Sequence, residues 1–153
     1  MAEAPWLDDV EMAAWRSLLR SHAALLGRLD RDLHDQHGMS LGEYEVLAHL
    51  SEERGQRLRL SELAERVLIS PSGLTRRIDR LAQRGWVERQ PCRDDARGMF
   101  AVLTAEGRRR LEEAAPTHVQ GVRCHLVDRL SRTELNALAE ALSHVAGEGA
   151  TPP

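Results

Sequence analysis

The sequence has no lysine: all 21 of its basic side chains are arginine. Against 24 acidic residues they leave a formal net charge of -3. Codon usage in a GC-rich gene is enough to explain an all-arginine set, so total charge names no partner and only its distribution along the chain informs. Cysteine is scarce as well. Cys92 and Cys124 lie far apart and form no Cys-x-x-Cys pattern, which argues against a disulfide framework or a cysteine-rich zinc site. There is no run of about 18 apolar residues, so no membrane span is expected. The stretch Met1 to Trp6 is acidic and has no apolar signal core, so a cytoplasmic location is expected. Also missing are a Gly-rich phosphate loop, a Gly-x-Ser-x-Gly elbow and a His-Glu-x-x-His pair. Carboxylates are plentiful but fall on expected helix surfaces, where solvation accounts for them. Neither an enzymatic activity nor a cofactor is expected.

What is present is helical patterning. The 153 residues are 42% hydrophobic, enough for a real core in one compact domain or one domain with a helical extension. From Trp6 to about His34, Trp15, Leu18, Leu19, His22, Leu25, Leu26, Leu29 and Leu33 recur at helical spacing. Ser40-Leu41-Gly42-Glu43 reads as a capping box opening a second helix, with Met39 and Tyr44 as its hydrophobic staple. Arg57 to Leu60 alternates like a short strand, and Ser61 is the expected cap of a short third helix. Ser70-Pro71 restarts the chain as N-cap and first helical residue of a fourth helix, which Gly85 closes. Trp86 to Arg89 and Met99 to Leu103 read as the two strands of a hairpin. Thr104 opens a fifth helix to about Arg129, which Pro116 is expected to kink. Ser131 to Glu134 is a further capping box before a last helix, and Gly147 begins a tail.

The fourth helix carries the functional signal. At 100° per residue Leu74, Ile78 and Leu81 share one face, while Ser72, Thr75, Arg76, Asp79, Arg80 and Gln83 take the other. Arg77 and Arg84 flank the apolar stripe. Two short helices joined by a tight turn, the second showing hydroxyls and arginines near its start, match a helix-turn-helix. The guanidinium fork suits guanine O6 and N7, and its charge suits phosphate. The hairpin that follows is a wing, whose tip brings Arg93 and Arg97 within reach of an adjacent minor groove. The expected DNA-contacting set is Ser70, Ser72, Thr75, Arg76, Arg77, Arg80, Arg93, Asp95 and Arg97.

The stretches "LRLSELAERVLISPSGLTRRIDRLAQRGWVERQ" and "CRDDARGMFAVLTAEGRRRL" together resemble the MarR family of winged helix-turn-helix regulators. Asp95-Ala96-Arg97 is similar to the family's Asp-x-Arg wing signature, and "AVLTAEG" to its strand end. The resemblance implies that Arg97 enters the minor groove and Asp95 braces it. It implies a mainly α fold with a small β-hairpin wing, a winged helix-turn-helix plus a helical dimerisation domain. The expected organisation is a dimerisation helix over 1–36, the DNA-binding lobe over 40–103, dimerisation helices over 104–147 and a tail over 148–153. The resemblance further implies a homodimeric repressor on a pseudo-palindromic operator in double-stranded DNA, released by a small aromatic or phenolic effector. The alternative is a winged-helix module for protein contact without specific DNA binding.

Trp15, His22, Tyr44 and His118 are the candidate lining of an effector pocket, from family geometry and their aromatic-polar mix. His118 and His125 share a helical face and could join His22 at a metal, but no carboxylate or cysteine completes the set, so no metal is expected. The family's peroxide-sensing branch has a reactive cysteine near the start of its first long helix, where this sequence has none. Arg89 and Arg93 could activate Cys92, although an ordinary surface thiol is the expectation. Cys124 is expected to be a packed, inert thiol.

Overall fold

The computed structural model describes residues 5–67, 70–92 and 97–147. Helix α1 (Asp9–His37) is followed by α2 (Leu41–Glu52), strand β1 (Arg57–Arg59), α3 (Leu60–Arg66), α4 (Pro71–Gln83), β2 (Val87–Pro91), β3 (Met99–Leu103), α5 (Ala105–His125) and α6 (Arg132–Ala146). A single 3-10 turn (Val127–Arg129) separates the last two helices. The fold is mainly helical with one three-stranded antiparallel sheet in the order β1-β3-β2. No helix among the described residues is long and apolar enough to cross a membrane.

The chain forms two compact units. One is Leu29–His118. Its core joins Leu33 of α1, Met39, Val46, Leu47 and Leu50 around α2, Leu63 of α3, and Leu74, Ile78 and Leu81 of α4. The sheet adds Val87, Ala101 and Leu103. The other unit comprises the residues up to Arg28 and those from Val119 onward. There, Trp15, Leu18, Leu19, Leu26, Val119, Leu138, Leu142 and Val145 are all exposed on the single chain.

Local chemistry sets the element ends. Both expected capping boxes form: Ser40 Oγ accepts from the Glu43 amide and Ser131 Oγ from the Glu134 amide, and each glutamate reaches back to its N-cap amide. The Leu41 amide, at the first position of α2, donates to Asp30 of α1 at 2.8 Å. Helix α1 begins later than Trp6, because the Asp8 carboxylate accepts from the Val10 and Glu11 amides and so caps it. The expected cap of α3, Ser61, is instead its second residue. Arg59 is the N-cap position without a side-chain capping bond, because β1 stays paired with β3 through Arg59 and the chain turns helical at once. Helix α5 stops at His125 rather than near Arg129, its last turn tightening into the 3-10 segment. Pro116 lies inside α5 without ending it.

Two glycines are demanded by geometry. Gly85, at φ 73°, closes α4 in a Schellman motif: the Trp86 amide donates to Leu81 O and the Gly85 amide to Ala82 O. Gly107 lets α5 start against the sheet, since a Cβ there would lie 2.0 Å from the Trp86 carbonyl oxygen. In the wing, β2 and β3 pair from Val87↔Leu103 to Pro91↔Met99, and the Cys92 amide donates to Gly98 O at 2.9 Å beyond them.

Candidate nucleic-acid interface

Helix α4 starts as expected. Ser70 Oγ accepts from the Gly73 amide at 3.2 Å and Pro71 is the first helical residue. Ser70, Ser72, Thr75, Arg76, Asp79 and Arg80 are exposed. The Thr75 hydroxyl donates to Pro71 O at 2.9 Å, which leaves its lone pairs outward as acceptors. Arg76 has no ion pair or hydrogen bond among the described residues, so its five donors are available to a ligand.

The other arginines of the helix are differently placed. The Arg77 guanidinium lies against α2, so close that a Cβ on Gly42 would be 2.5 Å from Arg77 Cζ. Arg80 Nε is 3.8 Å from Glu43 Oε1, and Arg84 Nη1 is 3.5 Å from Glu43 Oε2. Glu43 is only 5% exposed and is the one buried charged side chain among the described residues. A buried carboxylate needs compensation, which its cap bond to the Ser40 amide at 2.9 Å and these two cations provide. Arg84 Nη1 also donates to the Gly38 carbonyl at 2.9 Å, and its guanidinium sits 4.7 Å from the Trp86 ring centroid. Arg110 lies 5.1 Å from the same ring and donates to the His37 carbonyl at 2.7 Å.

The wing is tied to α4. Arg89 Nη2 of β2 is 2.7 Å from Asp79 Oδ1 and donates to Thr75 O at 3.3 Å. Sequence reasoning missed this pair, as it missed the pairing of Glu43 with Arg84. Asp79 was visible as the acid on an otherwise cationic face, but nothing local names its partner. Arg97 is exposed in the turn that leads into β3. Arg93 and Asp95 fall outside the described residues.

A MarR-family model matches residues 37–98. A solved structure of Sco3205, a MarR family transcriptional regulator from Streptomyces coelicolor, in complex with DNA, is 38% identical with a TM-score of 0.89, covering 97% of this chain and 92% of its own. The chain belongs to the MarR family. It is a transcriptional regulator of the winged helix-turn-helix class. The regulator PecS of Dickeya dadantii (strain 3937) is 30% identical over 145 residues, 94% of this chain and 86% of PecS. The transcriptional repressor YetL of Bacillus subtilis (strain 168) is 36% identical over 81 residues, 53% of this chain and 48% of YetL. The second match thus spans about half of YetL's length.

Of the four residues assigned to an effector pocket by family likeness, Tyr44 and His118 meet. Their rings stack with centroids 4.4 Å apart at 28°. Burial holds the His118 imidazole below its usual pKa, partly offset by Glu45, and raises that of the Tyr44 phenol, with Glu52 adding to it. His118 Nδ1 is buried with no hydrogen-bond partner among the described residues. Trp15, 51% exposed, and His22, also exposed, belong to the other unit. Neither lines that unit's cavity of about 390 Å³ between Leu25, Arg28, His125, Leu126, Arg129 and Leu138. No three histidine, cysteine or acidic side chains gather as a metal site among the described residues.

Both cysteine expectations need correction. Cys92 is no surface thiol: it is 6% exposed, turned inward at the base of the wing where its amide closes the hairpin. Cys124 is not packed on the single chain. It is exposed on α5, and its Sγ accepts from Gln120 Nε2 at 3.0 Å.

Proposed function

We propose that this cytoplasmic regulator binds operator DNA as a homodimer and represses transcription, with α4 in the major groove and the wing against the adjacent minor groove. The observation that carries the reading is the exposed start of α4. Ser72, Thr75 and Arg76 are exposed there, Arg76 with no ion pair or hydrogen bond among the described residues, and Arg97 is exposed in the turn that leads into β3. The DNA complex of the 38%-identical Sco3205 supports the same use of this fold. Arg76 and Arg80 supply the helix's outward charge, and Arg93, Asp95 and Arg97 the wing's by family likeness. Arg77, packed on Gly42, acts at most through the position of the helix.

A homodimer is supported by the unpartnered apolar residues of α1, α5 and α6, which otherwise leave Leu18, Leu19, Leu138 and Leu142 in water. The proposed organisation keeps 1–36 and 104–147 for dimerisation and 40–103 for DNA. A small aromatic or phenolic effector would act near the Tyr44–His118 stack, whose unsatisfied imidazole nitrogen offers a polar anchor beside an aromatic face. Trp15 and His22 remain the candidates from α1.

Fluorescence anisotropy against DNA from the gene's own upstream region, titrated with salt, tests the reading. Wild type should resist random-sequence competitor, and its log affinity should fall steeply with log salt. Arg76→Ala and Arg97→Ala should each weaken binding by about 1–3 kcal/mol. Wild type that competitor displaces freely, with both variants indistinguishable from it, would leave the fold to a protein-contact role.

A further inference from the structure

The C-terminal end of α4 is as heavily engaged as its start is free. Arg84, the C-cap residue, uses one face of its guanidinium against Trp86 and one nitrogen toward both Gly38 O and Glu43. Trp86 is in turn covered by Arg110, which donates to the last carbonyl of α1 at His37. Gly38, at φ 60°, is where α1 ends, and Glu43 belongs to the capping box that starts α2. Three helix ends therefore converge on one guanidinium: the close of α1, the opening of α2 and the close of α4.

A helix of 13 residues rises about 20 Å, so Arg84 stands about that far from the Ser70 end that would meet base edges. Its side chain is spoken for by protein groups. The planar fork is what permits simultaneous stacking on an indole and hydrogen bonding at the edge; an ammonium carries the same charge without that geometry. Glu43 also depends on Arg84, because a buried carboxylate deprived of a partner is left poorly compensated.

Resting on the DNA-binding role above, we propose that Arg84 and Glu43 are positioning residues for operator recognition: together they fix the angle at which α4 leaves the body of the lobe, and Arg84 does so without contacting phosphate. The order of the recognition face is thus set from the far end of the helix, by side chains that never meet the DNA.

The test uses the full chain and a duplex that this protein selects from a random-sequence library. Arg84→Lys keeps the charge and loses the fork. It should lower the preference for the selected duplex over random duplex by about tenfold, with affinity for random duplex and the salt slope unchanged. Arg84→Gln should behave like Arg84→Lys, and Glu43→Gln combined with Arg84→Gln should be no worse than Arg84→Gln alone. Circular dichroism melts restrict the comparison to folded variants; if Arg84→Gln does not fold, Arg84→Lys and Glu43→Gln carry the test. An Arg84→Lys protein that selects as wild type does would overturn the proposal, since charge alone would then suffice. So would a salt slope lowered by about 0.9 in Arg84→Gln, the mark of a lost phosphate contact. A wild-type selection that yields no preferred sequence would remove the DNA-binding reading itself, and this inference with it.

Discussion

Arg76, Arg77, Arg80 and Arg84 carry the same charge on one helix and end in different surroundings. Arg76 has no bonded partner among the described residues, Arg80 stands outward beside a buried acid, Arg77 lies on the backbone of Gly42, and Arg84 is stacked and bonded. Charge is a property of the residue; partner is a property of the packing. The same distinction governs His118. Burial disfavours its charged form, so its folded pKa lies below the 6.5 of the unfolded chain. Between those two values the unfolded state binds more protons, and stability rises with pH. The contribution is complete above 6.5 and is lost as pH falls toward the folded value. Urea melts at fixed protein concentration from pH 7 down to 5 should show a steeper loss for wild type than for His118→Phe, which keeps a ring on Tyr44 and does not titrate. Parallel curves would mean that His118 is as hydrated in the fold as in the coil.

At the scale of the element, Gly107 is the sharpest case. Helix propensity alone predicts that Ala at this helical position gains about 1 kcal/mol. The structure predicts the opposite sign, because the new Cβ would meet the Trp86 carbonyl at 2.0 Å and Leu103 Cδ1 at 2.9 Å. Gly107→Ala should lower stability by about 1–3 kcal/mol, seen as a reduced urea midpoint at an unchanged slope. This contrast marks what was legible beforehand. Ser40, Ser70, Thr104 and Ser131 could be read as helix starts because a cap is closed within three residues. The outward face of α4 could be read because its periodicity is local. The family motif placed the wing. Glu43's two arginines, the Arg89–Asp79 pair and the inward turn of Cys92 each depend on elements brought together by the fold, and no spacing rule reports them. Ser61 misled for a related reason: a good capping residue lost its position to the strand pairing of Arg59.

For the whole molecule, the decisive feature is how much apolar surface one copy leaves uncovered. Val119 on α5, Leu138 and Leu142 on α6, and Trp15, Leu18 and Leu19 on α1 sit in the same compact unit and face water in a single chain. Under the proposed dimer they bury one another across copies, and folding becomes linked to association. The melting temperature of wild type should therefore rise with protein concentration. Sedimentation should give twice the chain mass for wild type and a substantial monomer fraction for Leu142→Arg, since a cation in an apolar interface costs several kcal/mol. A wild-type melt independent of concentration, with monomer mass throughout, would rule the dimer out.

The ion pair between Asp79 and Arg89 reaches beyond the two side chains it joins. Together with the Arg89 bond to Thr75 O, it ties a strand of the wing to the middle of α4, so helix and wing are presented together like a stencil. A stencil has little slack along its length. Under the proposed docking, the step read in the major groove and the step touched in the minor groove of a half-site keep a constant phase, and one inserted base pair would turn the second out of reach by about a tenth of a helical turn. If the proposed dimer reads two such half-sites, its tolerance for irregular operators lies between them rather than inside them.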